Sequence, residues 1–331
     1  MSKTVTAAIY ETHGIPAHVL RLVEQEWPRA RADEVVVQML AAPVNPADLN
    51  AIEGKYPVRP PLPATPGMEG AGLIAQVGRS VKHIGVGQLV LLPHNFGTWR
   101  QAAAVRADAV VPVPEGIDAI QAAMVKINPI TAWRMLHDFV KLEPGGWLIQ
   151  NAANSGAGRA VIQIAKELGW KTVNVVRRAE LIEELRAEGA DIVVVDGEEL
   201  RDAVKEQTSG APIRLALNAV GGDNALRVAG TLASDATMVT YGAMSLQPMK
   251  IPNGMLIFKN LCFTGFWVNK WYDAATAEQR AQTFKPLFDM ARRGLLRSKV
   301  EKTYPLAEVR EAVADAARGM RGGKVMLDLR S

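Results

Sequence analysis

Cysteine is nearly missing from this chain of 331 residues, in which Cys262 is the only one. A lone cysteine excludes an internal disulfide, and it also excludes a zinc site built from several thiolates. The pattern is typical of a protein kept in a reducing compartment, and we therefore expect a cytoplasmic location.

A strong excess of one charge is missing as well. Lys and Arg number 38 against 34 Asp and Glu, which gives a formal net charge of +4. This excess is too small and too evenly spread to form the basic surface that binds a nucleic-acid backbone. No apolar run approaches the roughly 18 residues of a membrane helix, and the first residues lack the apolar segment of a secretory leader. The sequence predicts no nucleic-acid partner and no membrane segment.

What is present is a globular composition, with 48% hydrophobic and 22% charged residues. At roughly 150 residues per domain, the length suggests about two domains. Short β-branched runs predict a mostly antiparallel β domain in the first part of the chain. These runs are residues 4–10, 34–40, 72–77, 88–92 and 110–113. The proline-rich segment 57–72 is predicted to be an ordered loop.

From Trp147 onward, predicted strands alternate with predicted helices. The strands are residues 147–151, 172–176, 191–195, 213–220, 237–241 and 261–266, and a helix is predicted over 157–168. Strands that are apolar on both faces and joined by helices indicate a doubly wound parallel sheet, and hence an α/β fold. Helices over 276–293 and 306–318 and a strand over 324–329 follow, and we expect this tail to return to the first domain.

A strand, a tight turn of small residues and a helix follow one another directly at residues 147–168. Gly156 and Gly158 would let backbone N–H groups approach a pyrophosphate at the start of the helix. Ser155 and Val161 stand where a strict glycine fingerprint has glycine, so the pattern is degenerate. The position of the turn at the first strand of the alternating region favours a dinucleotide site over a purely structural turn.

Arg177 and Arg178 follow the next predicted strand, at the place where an NAD-specific site has an acidic residue. Two guanidinium groups there favour a 2′-phosphate, which they bind through charge-assisted hydrogen bonds. The sequence therefore predicts NADPH as the cofactor. The alternative is that both arginines only begin a solvated helix that continues through Glu180, Glu183 and Glu184.

Taken together, five segments resemble the medium-chain dehydrogenase/reductase superfamily, and within it the mitochondrial-type trans-2-enoyl thioester reductases. They are residues 45–72, 127–136, 151–178, 240–248 and 257–271, which include GKY, YGAM and GFW. The resemblance implies a GroES-like catalytic domain of residues 1–126 and 267–331, and a Rossmann domain of residues 127–266 that binds NADPH.

The resemblance also implies site residues. Tyr56 matches the catalytic tyrosine of the family. The matches to the family's NADPH contacts are Asn128, Asn154, Ser155, Gly156, Ala157, Arg177, Arg178, Tyr241, Gly242, Ala243, Met244, Phe266, Trp267, Val268 and Lys324, and we add Gly158 from the turn. Ala179 stands where the family often has a basic residue.

Zinc-dependent members of the superfamily carry Gly-His-Glu where this chain has Gly67, Met68 and Glu69. Methionine does not replace a histidine ligand of zinc, and the four-cysteine structural site is missing. The sequence predicts zinc-independent chemistry, and it assigns no catalytic role to Glu69.

The implied reaction is hydride transfer to the β-carbon of an enoyl thioester, either enoyl-CoA or an enoyl-acyl carrier protein, in fatty acid metabolism. A tyrosine, with a reference pKa of about 10, is protonated at neutral pH and can donate the hydrogen bond and proton that the enolate needs. The alternative for Tyr56 is an aromatic anchor of the proline-rich loop. The alternative functions are an NADPH-dependent quinone or alkenal oxidoreductase and a non-catalytic NADPH-binding protein. The resemblance also implies a homodimer, because members of the superfamily commonly pair through the last strand of the cofactor domain, which is residues 261–266 in this chain.

Overall fold

The computed structural model describes residues 4–319 and 321–330, and the chain divides into two compact units, residues 1–127 with 285–331 and residues 128–284. The strands are β1 (Thr4–Ile9), β2 (Arg21–Glu26), β3 (Glu34–Pro43), β4 (Ala71–Val77), β5 (Leu89–Leu91), β6 (Ala102–Arg106), β7 (Val111–Pro112), β8 (Trp147–Gln150), β9 (Lys171–Val176), β10 (Ile192–Val195), β11 (Ile213–Asn218), β12 (Thr237–Thr240), β13 (Cys262–Gly265), β14 (Val300–Pro305) and β15 (Lys324–Asp328). The helices are α1 (Pro16–Val19), α2 (Pro46–Ile52), α3 (Ala119–Ala122), α4 (Asn128–His137), α5 (Gly156–Glu167), α6 (Ile182–Glu188), α7 (Leu200–Gln207), α8 (Gly222–Gly230), α9 (Asn253–Ile257), α10 (Val268–Ala274), α11 (Ala277–Arg292) and α12 (Val309–Ala317).

The first unit is built on a sheet with the strand order β14-β15-β3-β4-β5-β7, in which β6 pairs with the other side of β3. Its pairs are antiparallel except for β14 and β15. The closing strand β15 pairs with β3, which confirms that the tail returns to the first domain. Alternate residues of β3 and β4 face a core that also takes in Trp99 and the apolar face of α12.

The second unit contains a parallel sheet with the order β10-β9-β8-β11-β12-β13. This is the strand order of the doubly wound dinucleotide-binding fold, in which the direction of winding reverses between the first and fourth strands. In this chain the reversal lies between β8 and β11, at the carboxyl ends of both strands. The predicted α/β fold is therefore confirmed, and the predicted cofactor turn lies at the reversal.

The second boundary between the units differs from the one expected from the sequence. Residues 267–284 were assigned to the catalytic domain, but they lie in the second unit. The reason is their packing against α4, because Arg134 donates to Thr283 (3.4 Å) and its guanidinium lies 5.6 Å from the Trp271 ring centroid. A helical sequence pattern alone does not show which sheet the helix packs against.

None of the helices within residues 4–319 and 321–330 combines the length and the apolar character needed to cross a membrane.

Candidate functional site

The turn between β8 and α5 has the local geometry of an anion site. Ser155 is the N-cap of α5, and its hydroxyl accepts a hydrogen bond from the Gly158 N–H (3.1 Å). Serine is favoured at this position because it satisfies one of the four N–H groups that lack an acceptor at a helix start. The remaining N–H groups and the helix dipole favour a negatively charged ligand.

The packing of the turn requires glycine at position 158. A Cβ atom there would lie 2.5 Å from the carbonyl oxygen of Ala153 and 2.7 Å from that of Ala152, so glycine lets the helix pack against the turn. Ala152 itself has a φ of +48°, a left-handed conformation that L residues rarely adopt. The turn is thus tightly folded, and a contact between Gly158 and the cofactor stays a prediction.

Buried amide side chains support the turn from the sheet below, and none of them is among the site residues predicted from the sequence. Gln150 at the end of β8 donates to the carbonyl of Gly158 (2.9 Å) and to Asn174 of β9 (2.8 Å). Asn151 donates to Asn218 at the end of β11 (2.7 Å). Polar residues inside otherwise apolar strands are the signal that would have found them, because a buried amide needs partners.

Two buried polar groups of the second unit test whether its residues fit a cofactor. The amide nitrogen of Asn128 is buried and completes no hydrogen bond within the described part of the chain. The hydroxyl of Tyr241 interacts with Ser155 of the turn; burial raises the pKa of this phenol to about 12 and the contact with Ser155 lowers it, so the phenol is neutral. A buried polar group without a partner is costly, and a bound polar molecule would satisfy Asn128. Together with the helix N-terminus at Ser155, these residues fit a dinucleotide.

The predicted 2′-phosphate residues follow β9 directly. Arg177 is exposed, and Arg178 is half-buried with its guanidinium 3.3 Å from the carboxylate of Glu180. Both therefore lie at the carboxyl end of the strand beside β8, in the same unit as the turn. Glu180 competes with a phosphate for Arg178, whereas Arg177 is exposed at the strand end.

The remaining predicted cofactor residues of the second unit follow β12 and β13. Gly242 is required, because a Cβ there would lie 2.9 Å from the carbonyl oxygen of Ala219. Met244 is 60% and Trp267 39% exposed, so both have surface available to a ligand. The others in this group are Tyr241, Ala243, Phe266 and Val268. Val268 is buried, and the rings of Phe266 and Phe139 are perpendicular with their centroids 6.3 Å apart. The fold places Asn154–Gly158, Arg177, Arg178 and this group at one edge of the sheet.

Tyr56 lies in the first unit, just after α2. Gly54 ends the helix with a φ of +73°, and the N–H groups of Lys55 and Tyr56 both donate to the carbonyl of Asn50 (2.8 and 3.1 Å). This turn fixes the backbone of Tyr56 and leaves its side chain half-buried at the start of the proline-rich loop. The hydroxyl is thus carried by an ordered segment.

Lys324, predicted from the resemblance to contact the cofactor, belongs to a buried polar cluster of the first unit. Its ammonium group donates to the amide oxygen of Asn45, whose nitrogen donates to Glu69 (3.0 Å). Asp48 accepts from the N–H groups of Asn45 (2.8 Å) and Met68 (2.9 Å). Asparagine, proline and aspartate at positions 45, 46 and 48 form a helix-start pattern that would have identified two members of this cluster.

Burial governs the charges in this cluster. It raises the pKa of Asp48 to about 7, partly opposed by the backbone hydrogen bonds, and it also raises the pKa of Glu69. Burial lowers the pKa of Lys324, whereas Glu69 and Asp48 raise it. The charges of Asp48, Glu69 and Lys324 thus depend on one another as well as on burial.

The segment Gly67–Met68–Glu69 is held by hydrogen bonds to other parts of the first unit. The second oxygen of Glu69 accepts from the N–H of Ile127 (3.0 Å), the last residue of the first segment of this unit. Met68 is buried, and no group of three or more His, Cys, Asp and Glu side chains suited to a metal occurs in residues 4–319 and 321–330. Zinc-independence stays a prediction from the sequence.

Two family descriptions match the chain. "Alcohol dehydrogenase GroES-like domain" matches residues 31–115, and "Zinc-binding dehydrogenase" matches residues 156–283. The first lies in the first unit and the second in the second unit. The second description names zinc, whereas this chain has Met68 at the position of the histidine ligand.

Three similar proteins describe the relationship. The mitochondrial enoyl-[acyl-carrier-protein] reductase of Xenopus tropicalis is 42% identical over 93% of this chain and 91% of its own length. Etr1p in complex with NADP and crotonyl-CoA is 31% identical with a TM-score of 0.91, covering 98% of this chain and 100% of that one. The quinone oxidoreductase of Escherichia coli with NADPH is 27% identical with a TM-score of 0.84, covering 98% and 99%.

Proposed function

The chain belongs to the enoyl thioester reductases of the medium-chain dehydrogenase/reductase superfamily, and we propose that it reduces trans-2-enoyl thioesters with NADPH. The similarity to an enoyl reductase along 93% of the chain carries this conclusion. The similarity covers both the loop of Tyr56 and the turn at Ser155. The conclusion therefore does not depend on the dinucleotide-binding fold alone.

The cofactor is NADPH, in line with the similar structures, of which one contains NADP and another NADPH. The N-terminus of α5 would hold its pyrophosphate, and Arg177 and Arg178 would hold its 2′-phosphate. Asn128 supplies a buried amide nitrogen that lacks a partner within the described residues, and Tyr241 interacts with Ser155 of the turn. When bound, NADPH supplies the hydride that reaches the β-carbon of the substrate.

Tyr56 has the chemistry that the other half of the reaction needs. Addition of hydride at the β-carbon leaves negative charge on the thioester oxygen, as an enolate, and the α-carbon then needs a proton. A neutral phenol can donate a hydrogen bond to this oxygen and can deliver the proton. We assign both tasks to Tyr56.

The second candidate function is the reduction of quinones or alkenals. The quinone oxidoreductase of Escherichia coli favours it, because its fold covers nearly the whole of this chain. The lower identity, 27% against 42%, makes it the weaker candidate. A non-catalytic NADPH-binding protein is a third possibility, and it would turn over neither acceptor.

The partners follow from the same proposal. The acyl group is carried by coenzyme A or by an acyl carrier protein. We propose a homodimer that pairs through β13, which lies at one end of the strand order. We also keep the cytoplasm as the proposed location; the Xenopus tropicalis relative is a mitochondrial protein.

A panel of acceptors tests the proposal. Purified protein is mixed with NADPH and, separately, crotonyl-CoA, a crotonyl-acyl carrier protein, a quinone and an alkenal, and NADPH absorbance is followed. Rapid oxidation with a thioester and little with the others is expected, and it should survive exhaustive chelation. Preferential oxidation by the quinone would support the second function, and no oxidation by any acceptor would support the third.

A further inference from the structure

Arg159 is a buried arginine in the first turn of α5 that no part of the proposed reaction uses. Only 5% of its side chain is exposed. Its Nε donates to the carbonyl of Asn154 (3.1 Å), and its two terminal nitrogens pair with Glu184 (3.0 Å) and Glu188 of α6. One guanidinium thus connects the cofactor turn to the helix that follows Arg177 and Arg178.

The bond to Asn154 acts on one peptide group. The peptide between Asn154 and Ser155 is planar, so its carbonyl and its N–H move together. Arg159 holds the carbonyl, and the N–H of Ser155 donates to the carbonyl of Ala152 (2.9 Å). The peptide is therefore fixed on both sides, which orients Ser155 as the N-cap of α5.

The two carboxylates keep Arg159 in this position. A buried charge is costly unless it is paired, and an arginine fork suits two carboxylates because its donors point in fixed directions. Glu184 and Glu188 are four residues apart on α6, so one face of that helix supplies both. Arg159 also contacts the turn, through the hydrogen bond to the carbonyl of Asn154.

We infer that Arg159 is a positioning residue for the pyrophosphate site, and this inference rests on the proposed binding of NADPH at the turn. Arg159 acts on the backbone beneath the pyrophosphate, a group that NADPH and NADH share. Its loss weakens both cofactors equally. Loss of Arg177 and Arg178, by contrast, weakens only the phosphorylated one.

The test compares Arg159→Gln with Arg186→Gln, a matched control on α6 whose arginine is half-exposed and pairs with Glu183 on the same helix (3.0 Å). Dissociation constants for NADPH and NADH are measured by quenching of protein fluorescence, together with kcat and KM at saturating enoyl thioester and with thermal unfolding. In Arg159→Gln, both dissociation constants and the cofactor KM should rise roughly tenfold, because the peptide beneath the pyrophosphate is no longer held by Arg159, while kcat is retained. The control should leave them unchanged.

Two further variants separate positioning from stability. Arg159→Lys keeps the positive charge but loses the forked donors of the guanidinium. The dissociation constants of both cofactors should therefore rise by an intermediate amount. The double variant Glu184→Gln, Glu188→Gln retains Arg159 but removes the two carboxylates that hold its guanidinium in place. The dissociation constants of both cofactors should rise as much as in Arg159→Gln. Lower thermal stability with unchanged dissociation constants in these variants would overturn the inference, as would a loss confined to NADPH. If the unaltered protein binds neither cofactor, the proposed function itself fails.

Discussion

Tyr56 is the residue on which the proton-transfer half of the reaction depends. In Tyr56→Phe the ring still packs at the start of the proline-rich loop, but the hydroxyl is gone. We expect kcat for crotonyl-CoA to fall by roughly 10² to 10⁴, the usual range for general acid catalysis. Steady-state rates at saturating NADPH measure this.

Tyr304→Phe is the matched control for this variant. It removes a hydroxyl of the same unit that donates to Asp315 (2.9 Å), and kcat should be retained. The dissociation constant of NADPH should be unchanged in both variants. A parental rate in Tyr56→Phe, with folding verified, would return Tyr56 to the role of a loop anchor.

Asp48 makes the stability of the first unit depend on pH. Its pKa is raised from 3.8 to about 7 by burial, so between these values the folded chain holds a proton that the unfolded chain releases. Its contribution to stability is fully present below pH 3.8 and is lost as the pH rises through about 7. Urea unfolding of the parent should give a lower free energy of unfolding at about pH 8 than at about pH 5, and Asp48→Asn should show a smaller decrease.

The titratable neighbours of Asp48 are present in both the parent and Asp48→Asn, so the pH dependence that they cause is common to the two proteins. Glu69, whose pKa is also raised, contributes with the same sign, and Lys324 and Tyr10 lie close enough to interact with Asp48. Asp202→Asn, at an exposed position of α7, is the control and should keep the parental dependence. Equal dependence in Asp48→Asn and the parent would contradict a raised pKa at this residue.

At the scale of the elements, the end of β9 decides between NADPH and NADH. The double variant Arg177→Ala, Arg178→Ala removes both guanidinium groups and leaves the turn intact. The dissociation constant for NADPH should rise by roughly 10-fold or more, and that for NADH should stay nearly constant, because only the phosphate contact is lost. Titration of both cofactors by fluorescence measures the difference.

Arg201→Ala with Arg214→Ala is the control for the end of β9, since it removes two exposed arginines from elsewhere in the same unit. Its cofactor affinities should be parental. An equal loss of NADH and NADPH affinity in the Arg177 and Arg178 variant would show that these residues support the turn instead of reading the phosphate.

The elements that the sequence predicted are those whose pattern is local. Most strands of the parallel sheet were predicted to within a few residues, because they are largely buried and read as continuous apolar runs. β13, at the end of the strand order, has only exposed and half-buried residues. β2 was missed because nearly all its residues are exposed, and β6 because it is short and rich in alanine. Neither carries the alternation that marks a strand buried on one face.

In the candidate site too, the residues that could be predicted are those with a local sequence pattern. The turn that contains Ser155 and the arginines after β9 were predicted because they lie beside the elements that position them. The role of Ser155 as the N-cap of α5 comes from the structure. Arg159 was not predicted as functional, because its partner Glu184 is 25 residues away in sequence. The contact between Lys324 and Asn45 spans 279 residues, a separation over which no local pattern indicates contact.

For the whole molecule, exposed apolar residues beside β13 bear on the proposed homodimer. Ile257 ends α9 with 69% of its surface exposed, and the next residue, Phe258, is 83% exposed. In Ile257→Asp with Phe258→Asp, charges would be buried without partners if this surface pairs with a second copy. Light scattering should give twice the 35.8 kDa chain mass for the parent and the single-chain mass for the variant.

Val86→Asp is the matched control, because Val86 in the first unit is also 69% exposed. This variant should keep the parental mass. A parental mass for the Ile257 and Phe258 variant as well would place any dimer contact elsewhere on the molecule.

The position of the transferred hydrogen tests the proposed reaction most directly. Crotonyl-CoA is reduced in water with NADPH that carries deuterium at the reactive C4 position, and in a second reaction with unlabelled NADPH in D₂O, and butyryl-CoA is examined by NMR. We expect deuterium at the β-carbon in the first product and at the α-carbon in the second. Formation of no butyryl-CoA, or label from NADPH at the α-carbon, would contradict the proposed reaction.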